Sequence, residues 1–335
     1  METKIFKLEL ENIDERIIEQ AAALLKQGEV VAFPTETVYG LGGHALDASA
    51  VAKIFAAKGR PNDNPLIVHV HNKALAEQTA KLNPLAIKLM QAFWPGPLTF
   101  VLPKQAAVPA CVTAGLDTVA IRMPDHLVAL KLIGLSGLPI AAPSANLSGK
   151  PSPTSGSHVY NDLRGKIAMV LDGGASGVGL ESTVLDLSGE TPAILRPGAV
   201  TAEDLRPYCG QVLEAQSQTD KAVPKAPGMK YKHYAPMGEV LLVEKSLLLK
   251  AYRENAALGG KVAVLATADV AGLAELPLYY PMAAKDDPME AAHNLFAALR
   301  WCDEVGAETI IVQAFPKKGI GKAIMNRLEK AAAKK

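Results

Sequence analysis

The sequence predicts an α/β protein of two domains, and three observations carry that reading. Short apolar runs of strand length alternate with segments of helical spacing along the chain. The pattern lapses once, from about Cys209 to Gly238, and then resumes in a more regular form. At 335 residues the chain also exceeds the usual size of one domain.

Asp14 to Gln27 carries Ile17, Ile18, Ala21, Leu24 and Leu25 at helical spacing, with Gly28 placed as a stop. EVVAFPT follows as a buried strand that ends at a proline and feeds a loop. Asp47 or Ser49 can cap a second helix, AVAKIFAAKG, which Gly59 can end. PLIVHV is the next strand, and LTFVLP, TVAIRM, LPIAAPS, KIAMVLD and STVLDL follow, mixed with helices such as PLAIKLMQAFW. Such a mixture implies a domain built around one large twisted sheet. The polar stretch that ends in APGMKYKHYAPMG reads as an interdomain linker with structure of its own. Beyond it come strand EVLLVEK, a helix to about Ala257, strands KVAVLAT and LPLYYPM, a helix from Met289 to Val305, strand TIIVQAF and a last helix near Gly321. That order suggests a small doubly wound α/β domain.

With 49% hydrophobic and 21% charged residues the composition is that of a soluble globular protein, and no stretch approaches the ~20 apolar residues a membrane span needs. The start, METKIFKLELENIDER, is charged and lacks the apolar core of a signal peptide, so a cytoplasmic location is expected. Cys111, Cys209 and Cys302 are odd in number and far apart, which argues against a disulfide framework and a four-cysteine zinc site. A net charge of +1 excludes a globally basic chain but leaves room for a local basic patch that touches RNA.

Gly40, Gly42 and Ala45 satisfy the dinucleotide pattern GxGxxA after a strand. No helix can start before about Asp47, however, so these glycines read as serving tight turns in a loop. The P-loop pattern GxxxxGK[ST] does not occur. His69 and His71 stand two apart on a predicted strand, where they would share a face, but two ligands do not make a metal site and none is expected.

The strongest local signal is PTETVYGLGG, residues 34–43, coupled to KGRPNDNPL, residues 58–66. Lys58 and Arg60 follow a helix end in a loop of Pro, Asn and Gly, as suits either the grip of fixed donors on a polyanion or a solvated loop. APSANLSGKPSPT, residues 142–154, can present hydroxyls and backbone N–H groups to phosphate oxygens, or can be a connector. ESTVLDL and ILRPGAV add Ser182 near one strand start and Arg196 beyond another.

PTETVYGLGG, KGRPNDNPL, WPGPLT, AIRMPDH, APSANLSG, ESTVLDL and LRPGAV occur in one order, and together they resemble the YrdC/Sua5 family of threonylcarbamoyl-AMP synthases. The linker APGMKYKHYAPM and the domain after it resemble the longer, two-domain Sua5 form. The resemblance implies a YrdC-like catalytic domain over residues 1–210, with a twisted α/β sheet and an open cavity, a linker or lid over 211–238, and a Rossmann-like Sua5 domain over 239–335. It implies formation of L-threonylcarbamoyl-AMP from L-threonine, bicarbonate and ATP, for threonylcarbamoyladenosine in tRNA. Mg²⁺ would arrive on the triphosphate. The product would pass to a threonylcarbamoyl transferase complex, with room for a weak contact to tRNA or double-stranded RNA.

Carried over by position, Arg60, Asn64, Thr118, Ser144, Ser152 and Arg196 would face ATP, with Lys58 in the same cationic loop. Lys58 and Arg60, the catalytic pair, would work with Arg196 to stabilise charge at the bridging and leaving oxygens of the nucleotidyl transfer. Thr37, His69, Arg122, Ala142 through its backbone, and Ser182 would contact L-threonine or its carbamate, the fork of Arg122 meeting the α-carboxylate. Tyr234 would reach over the nucleotide from a linker that also holds Met229, Tyr231 and His233, and the linker could close over the cavity.

Overall fold

The computed structural model describes residues 2–61, 64–214 and 234–333. Met229, Tyr231 and His233 of the predicted lid, and Asn62 and Asp63 of the KGRPNDNPL loop, lie outside the described residues. Two compact units are present. The first comprises Met1–Ser148, Pro153–Gly177 and Glu181–Tyr231; the second comprises Gly149–Ser152, Val178–Leu180 and Lys232–Lys335.

The strands of the first unit are β1 (Lys4–Lys7), β2 (Val31–Phe33), β3 (Gly40–His44), β4 (Ile67–His69), β5 (Leu98–Pro103), β6 (Thr118–Arg122), β7 (Ile140–Ala141), β8 (Met169–Asp172), β9 (Thr183–Asp186), β10 (Ala193–Arg196) and β11 (Leu213–Glu214). Among the described residues they form one mixed sheet in the order β1-β8-β2-β3-β7-β4-β6-β5-β9-β10-β11. The parallel pair β4 and β6 lies near its middle. Helices cover the sheet where their apolar stripes demand it. In Glu15–Lys26, Ile18, Ala21, Ala22 and Leu25 are buried at helical spacing, and Asp14 caps the first turn by accepting from the Arg16 N–H. Asp47 caps Ala48–Lys58 in the same way, and Gly59 ends that helix in the left-handed region.

One reading of the glycines is corrected. Gly40–His44 is itself strand β3, antiparallel to β2, so Gly40 and Gly42 serve no turn. They serve close approach: a Cβ on Gly42 would lie 2.6 Å from Phe33 Cε1 and 2.7 Å from Ile140 Cγ2.

In the second unit β12 (Glu239–Val243), β13 (Val262–Thr267), β14 (Tyr279–Ala283) and β15 (Thr309–Gln313) make a parallel sheet in the order β12-β15-β13-β14. Alternate residues of its inner strands are buried on opposite faces. Val264 and Ile311 join a core with Leu248 of helix Leu248–Ala256, while Leu295, Phe296 and Leu299 of helix Pro288–Glu304 are buried as well. Helices on both faces make this the doubly wound domain the pattern suggested. Cys111, Cys209 and Cys302 are free thiols, and burial pushes that of Cys302 up to about 12. No helix among the described residues is long and apolar enough to cross a membrane.

Candidate active site

Arg122 is the last residue of β6, and the parallel register sets it opposite His69, the last residue of β4. Both side chains are buried. Arg122 Nη1 donates to Thr37 Oγ1 at 2.9 Å, and Nη2 pairs with Glu36 Oε2 at 3.1 Å. Thr37 and Glu36 come from the loop between β2 and β3. There the Thr35 hydroxyl donates to the Val38 carbonyl at 2.6 Å, so the Thr37 hydroxyl must donate to Thr35 Oγ1, 2.9 Å away.

These bonds leave Arg122 Nε, Glu36 Oε1 and His69 Nδ1 buried and without a partner. Each such atom costs about 1–3 kcal/mol unless something meets it, so three around one guanidinium ask for a ligand. The electrostatics agree. Burial raises the Glu36 pKa against the pull of Arg122, and burial lowers that of Arg122. Burial, and then the Arg122 charge, push His69 down to about 3, so its imidazole is neutral. The group offers an N–H to a carboxylate and a carboxylate oxygen to an ammonium, which is the complement of an amino-acid zwitterion.

The same end of the sheet holds a second pair. β5 is antiparallel to β6 and parallel to β9, and β10 runs antiparallel to β9, so Ser182, just before β9, and Arg196, ending β10, share the edge where β6 ends. Arg196 donates to the Ser182 carbonyl through Nε at 3.1 Å and Nη2 at 2.9 Å, and Nη2 is 3.2 Å from Ser182 Oγ. Thr99 Oγ1 is 2.8 Å from the same hydroxyl.

Lys58 departs from the expected loop position. It is the last residue of its helix and only 2% exposed, and its ammonium donates to the backbone carbonyls of Ser144 and Asn146. Ser144 in turn donates to Asn146 Oδ1 at 2.5 Å, and Ala142 N–H donates to the Ile67 carbonyl at 2.9 Å, so the APSAN loop is pinned to β4 and to the helix end. Arg60 makes long contacts to the Asn64 and Pro65 carbonyls at 3.3 and 3.5 Å. Asn64 is buried with Oδ1 unpartnered. Thr118 opens β6, roughly 13 Å along the strand from Arg122. Arg60, Asn64 and Thr118 therefore collect toward the amino ends of β4 and β6, while Thr37, His69, Arg122 and Ser182 collect toward the carboxyl ends.

Ser152 and Tyr234 belong to the second unit. Arg300 Nη2 donates to the Pro151 carbonyl at 2.6 Å, and its Nε lies 3.5 Å from that of Ser152. Tyr234 sits at φ +67°, its ring 5.2 Å from that of Phe296 with the Arg327 guanidinium 5.9 Å away. His71 lies past the end of β4, so the two histidines do not share a strand; its Nε2 is 3.1 Å from Asn72 Nδ2. Among the described residues no three His, Cys, Asp or Glu cluster to hold a metal ion. A cavity of about 500 Å³ lined by Glu29, Lys53, Ala56, Ala57, Lys166 and Ile167 contains none of the expected site residues. Sequence reading passed over Glu36; an acid between two threonines in a loop leading from a buried strand was the signal available.

A mixed α/β sheet here gathers a buried arginine, a carboxylate and hydroxyls at one edge, a set of groups complementary to a small zwitterion. The chain belongs to the Sua5/YciO/YrdC family: the model of that name, described as "Telomere recombination", matches residues 23–198. A second, described as "Threonylcarbamoyl-AMP synthase, C-terminal domain", matches residues 200–333. Threonylcarbamoyl-AMP synthase of Pyrococcus abyssi is 48% identical over 96% of both chains. That of Bacillus subtilis is 49% identical over 94% of this chain and 92% of its own. The crystal structure of P. abyssi Sua5 complexed with L-threonine superposes with a TM-score of 0.91 at 47% identity, covering 98% of each chain. A P. abyssi Sua5 variant carrying two alanine substitutions, at a histidine and the tyrosine after it, gives 0.90 at 45% identity, over 98% of this chain and 96% of its own.

Proposed function

We propose that this chain is an L-threonylcarbamoyladenylate synthase, a nucleotidyltransferase that converts L-threonine, bicarbonate and ATP to L-threonylcarbamoyl-AMP and diphosphate. The observation that carries the reading is the unmet ion-pairing capacity around Arg122, which suits an α-amino acid, in a family whose two-domain relatives bear this name. In this reading the free edge of Arg122 meets the α-carboxylate, while Thr37, His69, Ser182 and the Ala142 backbone line the rest of the amino acid. Arg60, Asn64, Thr118, Ser144, Ser152, Arg196 and Tyr234 serve ATP. Lys58 and Arg60 are the catalytic cations, with Lys58 also fixing the Ser144 loop.

The chemistry needs no protein nucleophile. A carbamate oxygen attacks the α-phosphorus, the bond to the β-phosphate oxygen breaks, and pyrophosphate leaves; alignment and fixed positive charge lower the barrier. Mg²⁺, which the triphosphate rather than protein side chains would hold, would add charge neutralisation on the leaving group to that of the cations named above. The product is a mixed anhydride, suited to a threonylcarbamoyl transferase acting on tRNA. The test is pyrophosphate release by the purified protein with Mg²⁺ and ATP, with and without bicarbonate, comparing L-threonine, L-serine and no amino acid. Release that needs both threonine and bicarbonate is expected; release indifferent to either would overturn the reading.

A further inference from the structure

Threonine reaches an enzyme with its amine protonated, and an ammonium has no lone pair with which to take up CO₂. The reaction proposed above therefore needs a proton acceptor beside the amine. Glu36 is the acid paired with Arg122, and its second oxygen is buried and unpartnered. Groups acting on that carboxylate are the Arg122 guanidinium at the end of β6, and the backbone N–H and the charge of Asp125 just beyond it. The neighbouring imidazole, His69, also carries an unpartnered buried nitrogen but is held neutral well below physiological pH.

Resting on the threonine reading, we propose that Glu36 is the catalytic base that deprotonates the substrate amine. Guanidinium and carboxylate then divide the zwitterion: Arg122 Nε faces its carboxylate, and Glu36 Oε1 faces its ammonium. One N–H proton passes to Glu36 Oε1. Bicarbonate loses its C–OH bond to give CO₂ and hydroxide. The amine lone pair forms the N–C bond to CO₂ as a carbon–oxygen π pair moves to oxygen, and the hydroxide takes the second N–H proton as water. The products are a carbamate, water and a protonated Glu36, which returns its proton to solvent. Burial serves this step, because a carboxyl raised from its ordinary range is a stronger base toward an amine than an exposed one.

Glu36→Gln keeps the size and a hydrogen bond to Arg122 but cannot take the proton. At saturating threonine we expect its pyrophosphate release at neutral pH to fall about 100-fold, within the range for loss of a general base. Its rate should climb tenfold per pH unit toward the pKa of the free amine, whereas the wild type is flat there. Glu36→Asp should recover part of the rate and the flat profile. A Gln variant with wild-type rate and profile would overturn the proposal. So would one whose loss lies wholly in threonine KM, which would make Glu36 an anchor. Thermal unfolding of both variants reports whether they fold, and the Asp variant reads the proposal if Gln does not. Wild-type release that ignores threonine would fail the functional reading instead, and separates the two.

Discussion

His69 and Arg122 stand opposite one another at the carboxyl ends of two parallel strands, and the buried imidazole is held neutral beside the buried guanidinium. An unfolded histidine binds its proton near pH 6.5, but the folded ring does so only near 3. Between those values the unfolded state binds more protons, so stability falls as pH falls. His69→Gln should flatten this slope by up to about 1.4 kcal/mol per pH unit, measured by denaturant unfolding from pH 6.5 to 4. Equal slopes in the two proteins would show that the ring titrates freely.

Arg122 uses Nη1 on Thr37 and Nη2 on Glu36 and keeps Nε for a ligand. A lysine keeps the charge but not three directed donors in a plane. Arg122→Lys should raise threonine KM about 100-fold, equivalent to roughly 2.7 kcal/mol, and leave ATP KM near its wild-type value. Initial rates over a threonine series settle it; an unchanged threonine KM removes Arg122 from the carboxylate site.

Lys58 holds the Ser144 and Asn146 carbonyls from a position 2% exposed. Lys58→Met takes away that buried ammonium, and we expect a stability loss of about 1–3 kcal/mol as well as slower pyrophosphate release. A variant as stable as wild type in urea would mean that the lysine does not anchor the loop.

Arg300, buried on helix Pro288–Glu304, grips the Pro151 and Ser152 carbonyls. Since Ser152 is a proposed ATP contact, Arg300→Met should raise ATP KM several-fold, on the order of 1 kcal/mol, without moving threonine KM. Equal shifts in both, or none, would restrict Arg300 to packing.

Most elements were legible in the sequence because local chemistry decides them. Asp14, Asp47 and Gly59 cap and stop helices by rules that need only near neighbours, and the regular alternation after residue 238 could hardly fold otherwise than as a parallel sheet covered on both faces. What escaped depends on residues far apart in the chain. Lys58 looks like an exposed loop cation until the carbonyls of 144 and 146 arrive beside it. Gly42 looks like a turn residue until Phe33 and Ile140 close on it from two other strands. Glu36 gains its meaning only from Arg122, 86 positions away.

Gly149–Ser152 and Val178–Leu180 group with the second unit although much of the first follows them in the chain. A Cβ on Gly179 would lie 2.3 Å from the His293 carbonyl oxygen, and Arg300 reads the backbone of Pro151 and Ser152. A chimera that joins the front of one homologue to the back of another at the predicted boundary would inherit these facing surfaces from different parents. The module that can be exchanged intact is therefore not a continuous piece of the gene: the two short stretches have to travel with the last third.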